Sequence, residues 1–131
     1  MRTLTSYISR FLLILIFLSG VSVGNAAGQP GGRLVVIRTA NFGWNLAANL
    51  KIDGRTVMNI VQGRRYDHFM PAGRHVLTIS AVPNTELRQP ASITVNVQPG
   101  RTYIFTAGWN GDRVYLRPTT LSPAEMAKLG L

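Results

Sequence analysis

His68, His75 and Asp67 are the residues of this 131-residue chain whose types suit a metal ligand set or a general base. On a strand, Asp67 and His68 project to opposite faces, and no third ligand stands at a recognisable spacing. The pattern therefore reads as two ordinary histidines, with His75, just after Gly73 and Arg74, placed to hold the Pro71-Ala72-Gly73 turn. The five acids are scattered, and Asp53, Asp112 and Glu125 already have local work in two turns and a helix cap. A paired-carboxylate hydrolase would need Asp67 and Glu86, which lie in different connections. There is no cysteine, which excludes thiol chemistry, and no serine sits in a nucleophile elbow. The expectation is a non-enzymatic chain without metal or cofactor.

What remains is recognition chemistry. Phe42 and Trp44 lie close to Arg38 and Lys51 in sequence, and aromatic anchors beside arginine are what binding hot spots are made of. The alternative is that both rings close the open end of a core. Arg64, Arg65 and Arg74 are the densest cationic group; they form one patch only if the strand between them is very short. These five residues, Phe42, Trp44, Arg64, Arg65 and Arg74, are the candidate partner-binding positions.

Charge and compartment limit the partner. Residues 1–10 carry Arg2 and Arg10 with no acid, residues 11–23 (FLLILIFLSGVSV) are apolar or small, and Gly24-Asn25-Ala26 offers small residues to a signal peptidase. Residues 1–26 are thus expected to be a signal peptide cut after Ala26, with Ala27 as the alternative site and an uncleaved inner-membrane anchor as the competing reading. The apolar run is shorter than the roughly 18 to 20 residues that cross a bilayer comfortably. Beyond it stand 12 basic residues against 5 acids, a net +7. In the periplasm or outside the cell such a field meets lipid head groups, envelope polymers and acidic proteins rather than nucleic acid. Membrane-surface contact fits this charge, while a lipid anchor is excluded by the missing cysteine. A structural accessory domain, with charge serving only to keep it dispersed, is the competing role.

The elements expected to position these residues are strands. Residues 27–32 read as a flexible lead-in, and residues 33–38 (RLVVIR) as a strand apolar on both faces, which must sit centrally or be covered on both sides. Residues 39–47 read as a loop, and residues 50–82 as four strands in one meander. The first turn of that meander is Asp53-Gly54, a type I′ signal that sets Ile52 opposite Arg55 and Leu50 opposite Val57, with Leu50, Ile52 and Val57 on the core side. Residues 92–98 alternate cleanly, with Ile93, Val95 and Val97 inward. Asn110-Gly111 predicts a second two-residue hairpin, with Trp109 opposite Asp112, Ala107 opposite Val114 and Phe105 opposite Leu116. In the tail, Ser122, Pro123 and Glu125 form a capping box, Leu121 and Met126 suit a hydrophobic staple, and Gly130 ends a helix of about two turns.

Seven or eight short strands with regular turn signals indicate an all-β, small antiparallel β-sandwich over residues 33–117, followed by a tail, residues 118–131, that carries the short helix. Residues 50–54 (LKIDG), 60–63 (IVQG), 70–77 (MPAGRHVL) and 97–103 (VQPGRTY) resemble the run of motifs in the DUF2846 family of small exported bacterial proteins, and related short motifs occur in PEGA domains. The resemblance implies the fold and export, and it supplies no catalytic residues. The expected function is an envelope interaction module that binds an envelope protein or an anionic envelope polymer.

Overall fold

The computed structural model describes residues 28–131; the expected signal peptide and its cleavage site lie outside them. Eight strands follow in order: β1 (Gly31–Arg38), β2 (Ala47–Ile52), β3 (Arg55–Ile60), β4 (Arg65–Pro71), β5 (Gly73–Val82), β6 (Ala91–Val97), β7 (Thr102–Asn110) and β8 (Arg113–Pro118). A 3₁₀ turn (Ala40–Phe42) interrupts the β1–β2 connection, and one helix, α1 (Pro123–Leu129), ends the chain. The strands form two four-stranded sheets, β4-β1-β7-β8 (sheet A) and β3-β2-β5-β6 (sheet B). Leu34, Val36, Tyr66, Met70, Phe105, Ala107, Val114 and Leu116 of sheet A pack on Leu50, Ile60, Leu77, Ile79, Val95 and Val97 of sheet B. This is the β-sandwich the strand pattern predicts. Among the described residues, no helix is long and apolar enough to cross a membrane.

β1 explains the order of sheet A. Leu34, Val35 and Val36 are all fully buried, which requires a paired strand on each side and cover on both faces. β4 supplies one neighbour, antiparallel, and β7 the other, in parallel register from Arg33 opposite Thr102 to Arg38 opposite Ala107. The sandwich is therefore antiparallel except for this pair. The same demand overturns the single meander expected over residues 50–82. β3 and β4 are consecutive but lie in different sheets, and β5 returns to pair with β2. Burying the apolar β1 outranks local adjacency, and Gly73, at φ +124°, sits where the chain leaves sheet A for sheet B. β1 itself begins at Gly31, inside the expected lead-in, and glycine at position 32 lets the strand pass close to the Arg101 carbonyl, which a side chain there would strike.

Turn chemistry decides the two hairpins. Asp53 and Gly54 both have positive φ, as a type I′ turn requires, and Ile52 faces Arg55 as predicted. Further along, a bulge shifts the register so that Leu50 faces Met58, and Val57 is left 42% exposed instead of in the core. In the second hairpin the loop is Gly111-Asp112, not Asn110-Gly111, and Asn110 pairs with Arg113. Glycine then occupies the first loop position, where its φ of +63° is accommodated. Ala107 faces Leu116 rather than Val114, a slip of two residues, which keeps every side chain on its expected face. Ser122 caps α1, its hydroxyl accepting from the Glu125 N–H while the Glu125 carboxylate accepts from the Ser122 N–H, and Gly130 closes the helix in a left-handed conformation.

Candidate functional site

Four connections gather at one end of the sandwich. Strand register places them there: Ala47 lies opposite Val82, Ala48 opposite Ile60, Ile37 opposite Arg65, and Arg38 beside Ala107. This loop end carries the β1–β2, β3–β4, β5–β6 and β7–β8 connections. The β2–β3 turn, the β4–β5 corner and the β6–β7 turn lie at the other end.

Arg38 fastens the loop end together. Its guanidinium donates to the carbonyls of Leu46 (2.6 Å), Gly43 (2.7 Å) and Ile60 (3.3 Å), and it sits 5.1 Å from the centre of the Phe42 ring. Phe42 is fully buried, and its carbonyl accepts from Trp109 Nε1 at 3.0 Å. The Trp109 ring in turn carries the Arg88 guanidinium at 4.0 Å. Phe42 is thus a lid on the core and leaves the set of candidate contact residues, for a buried ring has no surface to offer. Trp44, two positions on, is 83% exposed. The loop sorts its two aromatics by direction, which their types alone do not reveal.

Beside this loop lies a cleft of about 720 Å³. The end of β1 and the residues after it (Ile37, Arg38, Thr39, Ala40) form one wall, the β3–β4 turn (Gln62, Gly63, Arg64, Arg65) another, and Leu129 of α1 a third. Ile37 and Arg65 are neighbours on the outer face of sheet A, so the end of α1 approaches that face and not the core. Three arginines and no carboxylate line the cleft. Arg38 is committed to its carbonyls. Arg65 reaches Asp67 at 3.4 Å, but Asp67 is mainly held by Arg33, which grips it with two bonds of 2.7 Å. Those bonds from Arg33, more than its charge, pull the Asp67 carboxyl below its ordinary range. Arg64 is exposed and has no ion-pair partner among the described residues. The cleft thus presents one free guanidinium and one partly neutralised one beside apolar Ile37, Ala40 and Leu129.

The other candidates separate. Arg74 lies on β5 beyond the β4–β5 corner, the full length of β4 from Arg65. Seven residues at about 3.3 Å each set the two ends more than 20 Å apart. Arg64 and Arg65 remain together, and Arg74 does not join them. His68 lies on β4 against Tyr66, with ring centres 4.8 Å apart and planes tilted by 49°. His75 is on β5 in the other sheet, with Nδ1 2.6 Å from Asp53 Oδ2 and Nε2 2.8 Å from the Pro71 carbonyl. Both partners are acceptors, so the doubly protonated ring satisfies both, and the bond to Asp53 is the largest reason its pKa is raised. As expected, His75 holds its turn, and it also ties that turn to the β2–β3 hairpin. Sequence reasoning missed Leu129 and Ile37 as cleft walls. The capping box and staple signalled a short helix, but nothing in the sequence states where it docks. Set against known proteins, the chain matches no family model and no curated sequence.

Proposed function

We propose that this chain is an exported, non-enzymatic binding module of the cell envelope, related in kind to the small exported proteins its turn motifs resemble. It engages an anionic envelope component at the loop end through Arg64 and Arg65. The observation that supports this most is the cleft lined by three arginines and no carboxylate, with Arg64 unpaired among the described residues. A phosphate or carboxylate on a lipid head group or an envelope polymer supplies the charge, and Ile37, Ala40 and Leu129 accept its less polar parts. The net +7 beyond residue 26 steers such ligands in from a distance. Exposed charges are screened over about 8 Å at physiological salt, so binding weakens as salt rises.

The test uses vesicles containing phosphatidylglycerol, and lipopolysaccharide, as separate probes at increasing salt. Replacing Arg64 and Arg65 by serine is expected to lower the affinity for at least one probe by tenfold or more and to flatten its salt dependence. Unchanged binding to both probes would transfer the role to a structural accessory domain.

A further inference from the structure

The four edge strands of the sandwich are unequally defended. β4 carries Arg65 and Asp67, β3 carries Arg55 and the bulge at Val57, and β8 carries Arg113 and Arg117 and is bridged at one end by Gln89. Charges, bulges and covering segments are the usual means of keeping another chain from pairing with an edge. β6 has none of them. Its seven residues, ASITVNV, include no charge and no proline, and its pairing with β5 runs without a shift from Ala91 to Val97. Ser92, Thr94 and Asn96 are exposed, and Ile93 is half-buried.

Hydrogen bonds show which backbone groups of β6 are free. Tyr103 Oη donates to the Asn96 carbonyl at 3.2 Å and accepts from the Gln98 N–H at 2.9 Å. The main-chain groups of residues 96 and 98 therefore point away from β5. Residues of an antiparallel strand alternate between turning both groups toward the neighbour and turning both away. Ser92 and Thr94 accordingly hold their N–H and C=O toward the open edge, where no main-chain partner reaches them among the described residues.

We infer that β6 is a self-association edge, along which a second copy of this chain adds its own β6 antiparallel across a two-fold axis at Ile93. In that register Ser92 meets Thr94 of the second copy and the reverse, giving four N–H···O bonds from groups now unpaired. The ladder stops at Asn96, whose carbonyl Tyr103 already occupies. Ile93 meets its own counterpart at a non-hydrogen-bonded position, where Cα atoms approach to about 4.5 Å, and the half-exposed side chains cover each other. Charge favours a second copy here over any other edge. Beyond residue 26 the chain carries a net +7 and repels itself where arginines meet, and β6 is the described edge strand that itself carries no charge. Two copies of sheet B then join into one continuous sheet, an isologous contact that closes on itself.

The absence of cysteine makes a direct test available. In the full chain, produced in a cell that exports it, Ile93→Cys is the sole thiol, and in the proposed register it faces itself at disulfide distance. Mild oxidation is expected to give a covalent homodimer at least tenfold more efficiently than Thr56→Cys on the defended β3 edge. Equal crosslinking at both positions overturns the inference, as does none at Ile93→Cys. A disulfide from Ile93→Cys to a different protein also overturns it, in favour of an extended segment of that protein on the edge. Sedimentation of the cysteine-free chain gives an independent reading that needs no core substitution. The parent is expected to dimerise with rising concentration, and Thr94→Lys to weaken that association tenfold or more while leaving the melting temperature of the dilute, monomeric protein unchanged. A parent that stays monomeric at every concentration overturns the inference.

Discussion

The two ends of the sandwich are made from similar residues and use them differently. At the β2–β3 end, the titratable pair Asp53 and His75 is answered within the chain, while Arg55, Arg74 and Arg101 are exposed with no ion-pair partner among the described residues. Asp53 accepts from the Val76 N–H and from His75, and His75 reaches back to the Pro71 carbonyl. At the loop end, Arg38 is as fully used, but Arg64 has no ion-pair partner among the described residues and Trp44 stands in solvent. Residues satisfied inside the fold hold it together. Residues left open are the ones for which a partner has to be found, and what sets the loop end apart is that its free guanidinium lines a cleft and stands near an exposed aromatic.

The largest effect expected within this contrast separates the two aromatics of the β1–β2 connection. Phe42→Ala removes a fully buried ring from the core cluster and should cost about 3–5 kcal/mol, a loss that urea denaturation reads directly. Trp44→Ala removes an exposed ring and should stay within about 0.5 kcal/mol. Similar losses for both would mean that Trp44 is also a core lid, and the loop end would lose its open aromatic.

A middle-sized effect tests the closed end. Gly73 has φ +124°, yet a Cβ there would meet no atom within 4 Å. Gly73→Val therefore creates no clash, and any loss comes from backbone strain alone, about 1–3 kcal/mol. An unchanged melting temperature would show that the β4–β5 corner relaxes freely and does not require glycine.

Local chemistry was readable in the sequence to the extent that it is local. Asp53-Gly54 set its turn, Ser122 and Glu125 their capping box, and the alternation of residues 92–98 put Val95 and Val97 in the core. The readings that failed depend on distant strands. Val57 reads as a core residue until the bulge opposite Leu50 and Lys51 turns it out, and nothing in residues 50–57 encodes that shift. The sheet switch at Gly73 follows from the need to flank β1, about 35 residues earlier. The candidate site was half readable for the same reason. Arg64 and Arg65 are neighbours in the chain and stay together, whereas the separation of Arg74 depends on the length of β4, and the Leu129 wall depends on where α1 docks. Phe42 and Trp44 differ only in the direction a 3₁₀ turn gives them.

The smallest expected effect is a pH dependence confined to the closed end. His75 has its pKa raised from 6.5, first by the bond to Asp53, and Asp53 has its own lowered from 3.8, first by the Val76 N–H and then by His75. Because the folded value of His75 lies above the unfolded one, its contribution is complete below about 6.5 and fades as pH rises through the folded value. Asp53 behaves oppositely: its contribution is complete above about 3.8 and fades as pH falls through its lowered folded value. The pair therefore stabilises most between those two ordinary values. Asp53 is half exposed, so water screens the pair and the whole effect should stay below about 1 kcal/mol. Denaturation midpoints measured from pH 5 to pH 9 should fall on the alkaline side in the parent and fall less in His75→Gln, whose neutral side chain does not titrate. Parallel curves for parent and variant would mean that His75 takes up no extra proton on folding and that the charged pair with Asp53 adds nothing to the closed end.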